Sequence, residues 1–189
     1  MNKLCALFMS LMFSVAVFAQ SHLEFRGIPI DGNINDFVKK MKAIGYVETH
    51  RTSSAVLMTG KFANHSATIG VLSTSKSHKV YNIAVTFEKQ SSWSSIKSRY
   101  FEFKELYTSK YGKPSKVVER FKDPYYEGDG YEMQALKLDK CVYASIFDLP
   151  NGQVYLGMGS DTTVSLYYVD SINEALNESE EKSSALDDI

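Results

Sequence analysis

The sequence predicts an α+β fold: an antiparallel sheet of about seven to eight strands with helices on one face. Three observations carry this reading. Two segments show apolar residues at three- and four-residue spacing, while the runs between and after them alternate every second residue. The strands come in runs and do not alternate with helices, which points away from a parallel sheet. At least one connection between runs is so short that its strands must pair antiparallel.

The chain opens on MNKLCALFMSLMFSVAVFA, which reads as an export signal. Lys3 is the basic start, Leu4 to Phe18 the apolar run, and Val17 and Ala19 the small residues before a cleavage point at Gln20. The run is shorter than a membrane-spanning helix needs and ends in small residues, so no span is expected after cleavage. Cys5 sits near the start of the apolar run, whereas a lipidated cysteine has to follow it. The expected organisation is a signal at 1–19, a single domain over 20–177 and an acidic tail at 178–189.

The first helix has Asn33 or Asn35 as its cap, a stripe of Ile34, Phe37, Met41 and Ile44, and Gly45 for the left-handed residue after its last turn. Strands follow at Val56 to Phe62, Ala67 to Leu72 and Tyr81 to Phe87, the last with the clearest alternation. The second helix begins at Ser91 or Ser92 and carries Trp93, Ile96, Tyr100, Phe103, Tyr107 and Tyr111 on one side. Gly112 and Pro114 end it. Trp93 and Phe103 are expected in the core. Further strands are read at Val117 to Phe121, Tyr131 to Leu138, Val142 to Leu149, Gln153 to Met158 and Thr163 to Val169. Asn151-Gly152 reads as a type I′ turn, because both central residues of that turn need positive φ. A short third helix covers Ser171 to Leu176. Two blocks of helix then sheet, about 33–88 and 92–169, are candidates for related halves.

Composition narrows the function classes. With 21 Lys+Arg against 22 Asp+Glu the chain has a net charge of −1, which gives no footprint for nucleic acid. Only Cys141 follows the signal, so no internal disulfide is available, and the roughly 170 remaining residues are enough to bury a core without one.

The segments FRGIPIDGNINDFVKKMKAIGY, WSSIKSRYFEFKELYTSKYGKP and KLDKCVYASIFD resemble those of small uncharacterised exported proteins of Gram-negative gut anaerobes. That group has no assigned activity, so the resemblance implies a compartment, the periplasm or cell exterior, and no chemistry. At the level of fold alone, a helix then an antiparallel sheet, twice, is similar to the beta-lactamase-inhibitor-like fold, also found in small outer-membrane assembly lipoproteins. Those are binding proteins. The inhibitor's disulfides and the assembly factors' lipobox are absent here, and fold analogy is a weak warrant for function.

Chemistry-bearing residues are sparse. His22, His50, His65 and His78 have no metal-ligand spacing. Cys141 has Lys140 beside it, but adjacent strand residues point to opposite faces, and a buried thiol is the ordinary state of a lone cysteine. Gly157-Met158-Gly159 resembles part of a dinucleotide loop, yet Thr162 stands at the third glycine's place and no helix is predicted next. Asp123, Glu127, Asp129 and Glu132 offer oxygen ligands in a Pro- and Gly-rich loop, without the spacing of an EF-hand. No catalytic group and no cofactor is expected.

Tyrosine is the distinctive feature, with twelve in the chain. Tyr125, Tyr126, Tyr131, Tyr143 and Tyr155 are the candidate binding residues, on strands and loops of the second half, since tyrosine suits an amphipathic recognition surface. The competing reading is that tyrosines are good strand residues in any sheet. The expected function is that of a non-enzymatic binding module of the cell envelope with a protein or glycan partner. The alternatives are a structural envelope protein without a ligand and a carboxylate-dependent hydrolase, whose two acids leave no local signature.

Overall fold

The structure, a computed structural model, describes residues 21–187 and 189, and the expected signal segment falls outside the described residues. A small hairpin, β1 (Glu24–Phe25) and β2 (Ile28–Pro29), leads into α1 (Ile34–Ala43). Four strands follow: β3 (Val47–Arg51), β4 (Ala55–Phe62), β5 (His65–Ser73) and β6 (Val80–Phe87). The pattern then repeats with α2 (Trp93–Tyr111) and the strands β7 (Lys116–Phe121), β8 (Cys141–Leu149), β9 (Gly152–Met158) and β10 (Val164–Asp170), interrupted by α3 (Glu132–Lys137) after β7. α4 (Ser171–Asp187) closes the chain.

All eight long strands form one antiparallel sheet in the order β3-β4-β5-β6-β10-β9-β8-β7. Each half is a helix followed by a four-strand meander, and the halves join through their last strands, with Leu166 opposite Val85. The fold is therefore α+β with an eight-stranded antiparallel sheet, as expected.

The two main helices begin and end where their caps dictate. The Asn33 side chain accepts from the amide of Asn35, Ser92 accepts from that of Ser95, and Gly45 and Gly112 take the positive φ that stops each helix. α1 buries Ile34, Phe37, Val38 and Met41, and α2 buries Ile96, Tyr100, Phe103 and Tyr107. Both lie on one face of the sheet, where they meet Val56, Met58, Ile69, Val85, Phe147 and Leu166. Phe25 of the leading hairpin joins the same core, stacked on Phe62 and edge-on to Tyr168. Phe103 is wholly buried against Phe87 at 4.4 Å between centroids, whereas Trp93 is half-buried at the core's margin, edge-on to Phe121 and Tyr143. No helix among the described residues is long and apolar enough to cross a membrane.

The structure corrects several local expectations. Tyr131 to Leu138 is not a strand: α3 occupies Glu132–Lys137, built wholly from good helix formers and burying only Ala135 and Leu136. The β8–β9 turn has Pro150 and Asn151 as its central residues, because Leu149 pairs with Gly152, and Asn151 is not at positive φ. Proline's fixed φ bars a type I′ turn there. The turns with positive φ at both central residues are Arg26-Gly27 and Ala63-Asn64. β3 and the β1–β2 hairpin are additions. The short helix expected at Ser171 to Leu176 is α4, which runs on through the acidic segment to Asp187.

α4 rests on β6, β10 and β9 through a polar stripe of Asn173, Asn177 and Glu180. Asn173 donates to the carbonyls of Ile30 and Val80. The Glu180 carboxylate accepts the amides of Lys76 and Ser77 and, at 2.5 Å, the Ser77 hydroxyl, so it holds the β5–β6 turn. The buried Asp170 starts the helix by accepting from the amide of Asn173, and it also accepts from that of Leu23.

Candidate binding face

Strand alternation puts a second set of side chains on the sheet face opposite α1 and α2. One cross-strand row there reads Leu57, Gly70, Ala84, Tyr167, Tyr155, Ile146 from β4 to β8. The next reads Thr59, Thr68, Thr86, Ser165, Gly157, Ala144. Neither row contains a charge. Charged or titratable neighbours stand at the rim, among them His50 opposite Leu57 on β3, Lys116 opposite Ile146 on β7, Lys61 and Glu88 just past Thr59 and Thr86, and Asp161 in the β9–β10 connection.

The middle of this face is shaped by two residues that touch across β9 and β10. Tyr155 and Tyr167 face each other as a directly opposed pair, with ring centroids 5.8 Å apart. Tyr155 lies down along its own strand over Gly157, whose missing side chain makes the room: a Cβ there would come within 2.5 Å of the Tyr155 hydroxyl. Burial pushes the Tyr155 phenol up from its ordinary range, and nearby Tyr167 adds to it. Beside the pair, a cavity of about 310 Å³ is walled by Thr86, Ser165, Asp161 and Thr163. Thr86 also borders a cavity of about 840 Å³ at the β4–β5 hairpin, where Thr59 and Thr68 share the wall with Lys61, Arg26 and Glu88. The two hollows make this face concave along the hydroxyl row.

The expected site tyrosines fall into three places. Tyr155 lies on the open face, with Tyr167 as the partner that the sequence reading left out. The register explains the omission, since Tyr167 and Tyr168 are adjacent and only pairing tells which of them faces outward. Tyr143 is removed from the candidate surface: it is 4% exposed on the helix side, edge-on to Trp93 and Tyr100, with its hydroxyl donated to Glu127. Burial, then the nearby Glu127, drives its phenol far up. Tyr125, Tyr126 and Tyr131 surround a separate cavity of about 410 Å³ in the β7–β8 connection. That connection leans toward α2, where Glu127 pairs with Lys97. The loop and the open face are therefore not one continuous surface.

Three of the four loop carboxylates, Glu127, Asp129 and Glu132, have structural partners. Asp129 accepts from the amides of Tyr126 and Tyr131, and Glu132 from that of Gly128. Among the described residues no three His, Cys, Asp or Glu side chains gather as a metal cluster. His22 meets Asp170 at 3.0 Å and His65 meets Glu102 at 2.7 Å, on separate parts of the fold. The Cys141 thiol is buried and pushed up to about 12 by that burial, with Glu127 and Glu132 adding to it. The Gly157-Met158-Gly159 stretch leads into a tight connection to β10, where Thr162 takes positive φ and Gly159 donates to the carbonyl of Thr163.

Compared with known proteins, the chain matches no family model, no curated protein and no solved structure. The functional reading therefore rests on the site itself.

Proposed function

We propose that this protein is an exported, non-enzymatic binding module of the cell envelope, and that it holds a protein or glycan partner on the open sheet face centred on Tyr155 and Tyr167. One observation carries the reading: twelve side-chain positions across six strands form an uncharged, shallowly concave field with an aromatic pair at its middle and charges only at its edge. Depletion of charge at the centre and enrichment in tyrosine are the compositional marks of a recognition surface. Burying this field against a partner strands no ion in a low-dielectric contact, whereas a charged centre would cost several kcal/mol per unpaired group. The threonine and serine hydroxyls supply donors and acceptors that a partner's amides or sugar hydroxyls can meet.

The test is to place a charge in the middle of the field. Immobilised protein and a Thr86→Lys, Tyr167→Arg variant are exposed to native envelope extract and to an array of envelope polysaccharides. The wild type is expected to retain a ligand that the variant loses while its melting temperature stays within a few degrees. Equal retention by a folded variant would remove the face from the function.

A further inference from the structure

We propose that the tyrosine pocket in the β7–β8 connection is a binding site for an organic cation, an alkylammonium or guanidinium group. This site is separate from the open sheet face and does not rest on the reading given to that face. The cavity of about 410 Å³ is lined by Pro124, Tyr125, Tyr126, Asp129, Tyr131 and Gln134. Tyr126 and Tyr131 are 65% and 61% exposed, unusual for rings in a connection so heavily hydrogen-bonded.

Two features point to a cation. Elsewhere in this chain several aromatic faces are covered by a cation: Lys110 sits over Tyr111 at 4.7 Å, Lys104 over Phe101 at 5.5 Å and Arg99 over Phe87 at 5.6 Å. Among the described residues, Tyr126 and Tyr131 have neither such a cation nor a stacked ring, so two exposed ring faces with their negative quadrupoles are left for an outside group, beside Tyr125, which packs partly against the core. The second feature is Asp129, the one charged residue lining the pocket. Its two oxygens accept the amides of Tyr126 at 3.1 Å and Tyr131 at 2.7 Å, which fixes a carboxylate at the root of both exposed rings. Neutral amides leave its charge uncompensated. A cation therefore gains from the rings and from the carboxylate together, while an anion is repelled and an uncharged group gains only contact area.

The pocket is also preorganised. Tyr125 donates its amide to the carbonyl of Lys122, Glu132 clasps Gly128, and the Gln134 amide reaches the Tyr125 hydroxyl. Little ordering remains to be done on binding, and tyrosine has few rotatable bonds to fix. The cation has two possible sources, a free quaternary ammonium compound or an arginine or lysine side chain of another protein.

The test follows the tyrosine ring signals of the full-length mature protein by NMR during titration with choline, with N-acetylarginine amide, and with 3,3-dimethylbutan-1-ol, the uncharged counterpart of choline. At least one cation is expected to shift the Tyr126 and Tyr131 signals saturably, and the alcohol to bind at least about tenfold more weakly. Preference for choline identifies a free small cation as the ligand source, and preference for the arginine derivative identifies a protein side chain. Tyr126→Ala with Tyr131→Ala should abolish the shift at the remaining Tyr125. Tyr126→Phe with Tyr131→Phe should retain cation binding within about threefold, because the ring faces persist. Asp129→Asn removes the charge together with one of the two amide hydrogen bonds, and should weaken the cations about tenfold more than it weakens the alcohol. Equal binding of the alcohol, no saturable shift with either cation, or an unaltered affinity in the alanine pair would overturn the assignment.

Discussion

The hydroxyls of Tyr107 on α2 and Tyr168 on β10 meet in the core, each being the other's hydrogen-bond partner. Burial drives both phenols well up from their ordinary range, outweighing the lowering that the bond with Tyr168 exerts on Tyr107, so both stay neutral. Removing one hydroxyl leaves the other buried without a partner. Tyr107→Phe and Tyr168→Phe are each expected to cost roughly 1 to 3 kcal/mol. The double variant should lie closer to the wild type than the sum of the two, because it removes donor and acceptor together. Chemical denaturation of the four proteins measures the coupling, and additive losses would refute it.

Two carboxylates on α4 should respond to pH in opposite senses. Burial pushes Glu180 up, but hydrogen bonds from Ser77, the Lys76 amide and Thr74 outweigh it and leave the carboxyl below its usual range. Its stabilising contribution is present above the ordinary carboxylate range and is lost as pH falls through its lowered value. Glu174 is raised, by burial first and then by Glu178 and Glu181. Its contribution is present below the ordinary carboxylate range and is lost as pH rises through the raised value. Glu174→Gln should therefore raise the melting temperature at neutral pH, with the gain vanishing in acid. Glu180→Ala should lower stability at neutral pH by roughly 1.5 to 3 kcal/mol and speed amide exchange at residues 76 and 77. Thermal melts across the pH range decide both.

Cys141 should be inert in the folded protein. With its thiol pushed up to about 12 by burial, the thiolate fraction at neutral pH is negligible. Iodoacetamide is expected to label the native protein hardly at all and the denatured protein fully. Rapid labelling of native material would mean that β8 opens locally.

Truncating Phe103 removes a ring that stacks on Phe87 and Phe62 and edges His65. Phe103→Ala should cost roughly 3 to 5 kcal/mol. Tyr126→Ala, by contrast, should change stability by less than about 0.5 kcal/mol, since an exposed ring has little packing to lose. Urea titration separates the two directly.

How much of this was legible in the sequence follows from which elements put apolar residues on their inward side. α1, α2 and the strands β4 to β6 do so, and their caps, stripes and alternation located them. α4 does so only weakly: its inward residues are Asn173, Asn177 and Glu180, while Leu176 and Leu186 face solvent, so its start was read at Ser171 to Leu176 but no hydrophobic period carried it on to Asp187. β3 escaped for the same reason, as an edge strand with no buried residue. α3 did leave a signal, the run of strong helix formers from Glu132 to Lys137, which the neighbouring tyrosine obscured. The open face could not be read at all without the register. Residues as distant as Leu57 and Ile146 share a row only because β6 pairs with β10.

That pairing also sets an order on assembly. Hairpins inside each half close over a few residues, as in Phe62 opposite His65 or Leu149 opposite Gly152, but joining Val85 to Leu166 spans the whole second half. Closing so long a loop draws on chain entropy that only the finished sheet returns. Before the seam forms, each meander presents a bare strand, β6 or β10, rich in valine, isoleucine, leucine and tyrosine. Such an edge is a template for pairing with another chain. The outer margins β3 and β7, by contrast, carry Glu48, Arg51, Lys116, Glu119 and Arg120 and discourage it. The same strand junction that creates the uncharged field is thus the place where an unfinished molecule is most exposed to exchanging halves with its neighbour.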